Sequence, residues 1–205
     1  MTEFWETNFK EKQKMWGEGP APAALFACDY FKERGVKKVL IPGIGYGRNA
    51  VPFLEAGMSV TGIEISETAI NIAKSEMGIN STIYHGSVTD MPFDNEIYDG
   101  IFCYAVIHLL GEEERKKLIA DCYTQLANGG TMIFVAVSQK APNYGKGTEI
   151  GQNRFEQHGG AQIYFYDETA IRDEFSEYGL QEVREITEKT GGSEMQFFMA
   201  ICKKD

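Results

Sequence analysis

The chain of 205 residues has few of the features that mark metal, disulfide or membrane chemistry. Its four cysteines (Cys28, Cys103, Cys122, Cys202) are widely spaced and form no Cys-x-x-Cys pair. Three sit in apolar segments, where a free Cys behaves as a small hydrophobe, so no disulfide framework is expected. The three histidines, His85, His108 and His158, show no metal-ligand spacing, and no metal is expected. No stretch approaches the ~20 continuous apolar residues that span a bilayer. Met1-Thr2-Glu3-Phe4-Trp5-Glu6 lacks the basic end and apolar run of a secretory signal. A cytoplasmic protein with no membrane partner is the expectation.

Basic charge is also scarce. Twenty Lys and Arg stand against thirty Asp and Glu, a net charge of −10. The basic pair Lys116-Lys117 falls in Glu112–Lys117, where Glu112/Lys116 and Glu113/Lys117 are i,i+4 helical pairs, so it reads as a solvated face. A nucleic acid partner is disfavoured, because such affinity rests largely on neutralising phosphates.

What the chain does have is an alternation of short apolar runs and helical periodicities. Strands are expected at Lys37–Pro42, Ser59–Glu64, Thr82–His85, Tyr98–Tyr104 and Thr131–Val137. Helical runs lie between them: Pro20 to Arg34, Arg48 to Ala56, a segment capped by Ser66, and one presenting Leu118, Ile119, Cys122, Tyr123 and Leu126, closed by Asn128-Gly129-Gly130. Such alternation predicts a doubly wound α/β domain with a mostly parallel sheet covered on both faces. After Ser138 the pattern loosens as far as Gly160. A helix at Asp167–Tyr178 follows, then strands at Leu180–Thr187 and Glu194–Cys202, whose short join makes them antiparallel. One domain, 1–205, is expected.

Gly43-Ile44-Gly45-Tyr46-Gly47-Arg48 follows the first strand, where the ligand crevice of such sheets lies. Glycines there let the backbone turn sharply beside a ligand, although a plain turn would also use them. A dinucleotide fingerprint needs a third glycine at the sixth position, and Arg48 stands there instead. A cofactor with an amino-acid tail in place of pyrophosphate fits that loop better. Glu64 ends the second strand, 64 − 43 = 21 residues beyond the first loop glycine. A carboxylate at about that offset accepts hydrogen bonds from ribose hydroxyls. The alternative is an acid placed at a helix start.

The stretches Val39–Gly43 and Gly62-Ile63-Glu64-Ile65-Ser66 resemble the class I S-adenosylmethionine-dependent methyltransferases, most closely the thiopurine and tellurite-resistance branches. Asp90-Met91-Pro92-Phe93, Tyr98-Asp99-Gly100-Ile101, Leu126–Gly130 and Phe197–Lys204 continue the likeness over most of the chain. The resemblance implies a Rossmann-like, seven-stranded sheet with its last strand antiparallel. It also implies S-adenosylmethionine as cofactor. Gly43, Gly45 and Gly47 would line its methionine part, and Glu64 would hold the ribose. Ile65, Ser87 and Val88 would border the adenine, and Tyr104 would lie near the methionine moiety. Residues 1–19, with Trp16, would fold over the cofactor, unless Trp16 merely packs a helix. Ile41 and Ser87 stand where many family members carry acids.

A sulfonium is a good leaving group, so orientation is the main demand on the protein, and it can supply ~7–11 kcal/mol. A soft nucleophile needs no strong base, whereas a hydroxyl or ammonium does. Cys103–His108 lacks the signatures of amino-methylating and metal-dependent enzymes, and His108 is the candidate base, with packing as its other reading. Residues 138–165 are expected to set acceptor specificity. Arg154, Phe155, Tyr164 and Phe165 would line a pocket or belong to the core. By resemblance, the acceptor would be a small molecule, a thiol or another soft heteroatom. A nicotinamide-dependent oxidoreductase and a non-catalytic cofactor-binding module are the rival readings.

Overall fold

The structure is a computed structural model and describes residues 2–190 and 193–205; the Gly191-Gly192 join expected between the last two strands lies outside them. In chain order the elements are α1 (Thr2–Lys12), α2 (Pro22–Glu33), β1 (Lys38–Pro42), α3 (Val51–Glu55), β2 (Ser59–Glu64), α4 (Glu67–Ser75), β3 (Thr82–His85) and β4 (Tyr98–Tyr104). They continue with α5 (Glu112–Gln125), β5 (Leu126–Val137), β6 (Thr148–Gly151), β7 (Arg154–Gln157), β8 (Ala161–Tyr164), α6 (Glu168–Phe175), β9 (Leu180–Thr190) and β10 (Ser193–Lys203).

Seven strands form one sheet in the order β3-β2-β1-β4-β5-β10-β9. β1 to β5 are mutually parallel, while β10 runs antiparallel to both β5 and β9. This is the Rossmann-like sheet with an antiparallel last strand that the sequence led us to expect. Along β5 the period of two divides the core: Ile133, Val135 and Val137 face one apolar layer, Met132, Phe134 and Ala136 the other. Phe31 of α2 and Phe53 of α3 fill the first layer, and Leu118 and Ile119 of α5 with Phe175 of α6 fill the second. Both faces are therefore dry, which is what near-continuous apolar strands require.

Local chemistry sets several boundaries. Ser66 caps α4 by accepting the Ala69 N–H at 3.1 Å, and Asp167 caps α6 through Ala170 at 2.8 Å. Pro22 sits in the first turn of α2, where no intrahelical donor is lost.

Two expectations change. Asn128-Gly129-Gly130 does not stop a helix: α5 ends at Gln125 and β5 starts at Leu126, opposite Tyr98 on β4. Residues 138–165 are not loose either, since β6, β7 and β8 pair into a separate antiparallel sheet. These strands have only four residues each, too few for a periodicity to stand out. The amino-terminal residues form a helix, α1, anchored by a buried Phe9.

β1 lies between β2 and β4, so the chain winds outward in both directions from it. The carboxyl ends of β2, β1 and β4 carry Glu64, the Gly43 turn and Tyr104 side by side along one edge. Ligands of doubly wound sheets sit outside such a reversal of strand order.

Candidate active site

A cavity of about 700 Å³ opens at that edge, within the range that holds small ligands. Its floor is the turn after β1. Gly43 takes φ +69°, and a Cβ there would meet Val106 Cγ2 at 2.3 Å, so the loop after β4 packs directly on the glycine backbone. Gly45, at φ +58°, brings bare backbone to the cavity wall. On the other side of the turn, Ala105 takes a left-handed φ of 58°, uncommon for a residue with a Cβ. It is the bend that turns the chain out of β4.

Glu64 lines the cavity yet is only 5% exposed. Its Oε2 accepts the Gly45 N–H at 2.8 Å and its Oε1 the Ser66 N–H at 2.9 Å. A carboxylate has about four acceptor sites, so Glu64 can accept a hydroxyl donor in addition to its backbone N–H donors. Burial raises its pKa, and the backbone donors oppose that rise. Ile65, Ser87 and Val88 line the same end of the cavity. Ser87 caps the short 3₁₀ turn Val88–Asp90 by accepting from the Thr89 N–H at 3.2 Å.

α1 and the chain that follows it form the roof. Trp5, Phe9, Met15 and Trp16 line the cavity from above. Trp16 lies nearly parallel to Tyr46 (centroids 6.2 Å apart, 11°), and Phe9 stands edge-on to Trp16 at 5.8 Å. Polar bonds tie the roof down. Tyr46 donates its hydroxyl to the Gly17 carbonyl at 2.7 Å, and Arg48 Nη1 donates to the carbonyls of Trp16 and Gly19, both at 3.0 Å. Glu6 of α1 reaches the start of α4, accepting from Ser66 Oγ at 2.6 Å and Thr68 Oγ1 at 2.7 Å. Those hydroxyl donors lower the Glu6 pKa from 4.5 to about 2.

Val106, Leu109, Leu110, Ile163, Met195 and Phe197 add apolar surface to the cavity wall. His108 lines it too, but is only 7% exposed, and its Nδ1 accepts the Val137 N–H at 3.2 Å. That bond places the proton on Nε2 and leaves neither nitrogen with a lone pair for proton removal. Burial lowers its pKa to about 3, so it is neutral and a poor base. The geometry favours the packing alternative over the base.

Of the expected cofactor contacts, Trp16, Gly43, Gly45, Glu64, Ile65, Ser87, Val88 and Tyr104 all line this one cavity. Gly47 does not: its backbone N–H closes the turn onto Ile44, and a Cβ there would strike Ile79 at 2.7 Å. The pocket role expected of Arg154, Phe155 and Phe165 also needs correction. Phe165 is fully buried and Phe155 nearly so, packed edge-on against each other and against the exposed Tyr144. Arg154 points away, donating to Gln162 at 3.1 Å and lying beside Gly111. The short strand β7 alternates its side chains, and the cavity falls on neither set. Segment 138–165 reaches the cavity instead through Pro142, Asn143, Lys146, His158, Ala161 and Ile163. Sequence reading missed these and the α1 aromatics. Only the aromatic run Phe4-Trp5 with Phe9 at i+4 carried a signal. Among the described residues no group of three His, Cys, Asp or Glu side chains is placed to hold a metal ion.

Residues 39–130 match the family model of the methyltransferase domain. An uncharacterised methyltransferase of Anoxybacillus flavithermus is 32% identical over 102 residues, covering 50% of this chain and 48% of that protein. A Drosophila melanogaster protein named as a tRNA N(3)-methylcytidine methyltransferase is 24% identical over 88% of this chain and 59% of its own length. The solved structure reported with the conversion of a disulfide bond into a thioacetal group during echinomycin biosynthesis superposes with a TM-score of 0.77. It shares 16% identity and covers 100% of this chain and 93% of its own. The chain spans about half the length of the curated relatives it matches. Over residues 39–130 the chain is similar to methyltransferase domains, and its fold is that of S-adenosylmethionine-dependent methyltransferases. The cavity suits that family's cofactor, with a buried carboxylate at one end, bare glycine backbone in the middle and apolar flanks.

Proposed function

We propose that this protein transfers the methyl group of S-adenosylmethionine to a small-molecule acceptor bearing a thiol or another soft heteroatom, in the cytoplasm. The observation that carries the acceptor class is His108, the base expected after β4, which is buried, neutral and has no nitrogen lone pair to spare. A soft nucleophile needs no such base. Four buried, free cysteines accord with a reducing compartment.

In this reading Glu64 accepts from the ribose hydroxyls, while Ile65, Ser87 and Val88 border the adenine. Gly43, Gly45 and Tyr104 line the methionine end. Residues 1–19 act as the cover, with Trp16 and Phe9 excluding water. Segment 138–165 shapes the acceptor side through Asn143, Lys146, His158 and Ile163, in place of the residues first expected there. The bound cofactor supplies a methyl on a positively charged sulfur; the chain's own residues orient both partners and keep water out.

The rival oxidoreductase is opposed by Arg48, which occupies the third-glycine position and is committed to the roof carbonyls. A non-catalytic module would bind the cofactor and never transfer. Incubation with methyl-labelled S-adenosylmethionine, against panels of small thiols, amines and hydroxyl compounds and against bulk tRNA, tests the proposal. Label in a small thiol or related soft acceptor is the expected result. Label in tRNA, or in small amines alone, would overturn the acceptor class, and no label in any pool would favour the module.

A further inference from the structure

One buried carboxylate near the cavity has no part in the reading above. Glu188 of β9 is 3% exposed. Its Oε1 accepts the Ala23 N–H, in the first turn of α2, at 2.5 Å, and its Oε2 accepts the Tyr104 hydroxyl at 2.6 Å. A carboxylate leaves water only when its oxygens meet donors, and here both oxygens accept, one of them from the first turn of α2. Tyr104 forms part of the cavity wall. A negative charge thus stands one side chain behind the wall. It lies on the β4 side of the glycine turn, whereas Glu64 lies on the β2 side.

We infer that Glu188, acting through Tyr104, makes this end of the cavity select a cationic sulfur over a neutral one. The inference rests on the proposed cofactor reading, which runs from ribose at Glu64 across the turn to the methionine end at Tyr104. In methyl transfer the S–CH₃ bond breaks, its electron pair stays on sulfur, and the positive charge there disappears. S-Adenosylmethionine and S-adenosylhomocysteine otherwise carry the same adenosine and the same amino-acid tail. A charge beside the sulfur therefore separates substrate from product, holding the sulfonium and releasing the thioether. In a partly dry site such an attraction outweighs its value in water. Glu188 is a positioning residue, since it touches neither ligand; its anchoring of α2 is a second, structural task.

Calorimetric titration of both compounds into the wild type, Glu188→Gln and Tyr104→Phe tests this. Tyr104→Phe leaves the Glu188–Ala23 bond in place, so it remains informative if Glu188→Gln fails to fold. The expected result is a loss of sulfonium affinity on the order of tenfold beyond any loss for the thioether, equivalent to about 1.4 kcal/mol, in both variants. A purely structural role would weaken both ligands alike. Equal losses, or an unchanged ratio of the two affinities, would overturn the inference. Wild-type protein that binds neither compound would overturn the cofactor reading itself.

Discussion

Single side chains carry the sharpest consequences. Glu64→Ala removes the carboxylate on which the ribose assignment rests. Hydrogen bonds to a charged group are typically worth ~1.5–3 kcal/mol, so S-adenosylhomocysteine should bind tenfold or more weakly by calorimetry, with the circular dichroism spectrum unchanged. Unaltered affinity would reduce Glu64 to a cap for the Ser66 N–H. His108 gives a pH signature. Its folded pKa is lowered to about 3 from 6.5, so between those values the unfolded chain binds a proton that the folded protein refuses. Stability is then lost as pH falls through that window. His108→Asn, which keeps an acceptor for the Val137 N–H, should flatten the acid limb of a pH–melting curve and change the methyl-transfer rate only a few-fold. A rate loss above a hundredfold with intact binding would restore a catalytic base.

Among the elements, α1 is tied to the start of α4 through one acidic side chain. Glu6 supplies the hydroxyls and N–H at the start of α4 with an acceptor, and losing a cap costs ~1 kcal/mol. Because its folded pKa is lowered to about 2, its contribution is full above the ordinary 4.5 and is lost as pH falls towards 2. Glu6→Ala should therefore melt below the wild type at pH 7, with the difference vanishing at the acid end; a constant difference would remove the ionic part of the argument. Phe9→Ala should loosen the same roof and speed S-adenosylhomocysteine release in a stopped-flow displacement. The three-stranded sheet behaves otherwise. Phe165→Ala empties a fully buried site, where such truncations cost ~3–5 kcal/mol, and should lower the melting temperature rather than alter the choice of acceptor. These two elements were also the least legible in the sequence. α1 is marked only by its aromatics, and four-residue strands such as β7 show one or two alternations before a turn intervenes. Where caps and long apolar runs coincided, as at Ser59–Glu64 followed by Ser66, boundaries were readable to the residue.

For the whole molecule, strand order converts a linear sequence into a site. Gly43, Glu64, Ser87 and Tyr104 lie on four different strand ends, and only the arrangement β3-β2-β1-β4 sets them round one cavity. That much was legible because each residue terminates an apolar run, and parallel strands end together at one edge. The acceptor side was not, because it depends on how a separate small sheet and the roof helix dock, a tertiary matter with no local period. The buried Glu188 was likewise hidden, since its partners Ala23 and Tyr104 are 165 and 84 residues away in sequence. No helix among the described residues is long and apolar enough to cross a membrane. Thermal unfolding with and without ligand then tests the central claim. At a hundred times its dissociation constant, a ligand confined to the native state adds ~2.7 kcal/mol. S-Adenosylhomocysteine should raise the melting temperature while NAD leaves it unchanged; a shift with NAD and none with S-adenosylhomocysteine would contradict the account.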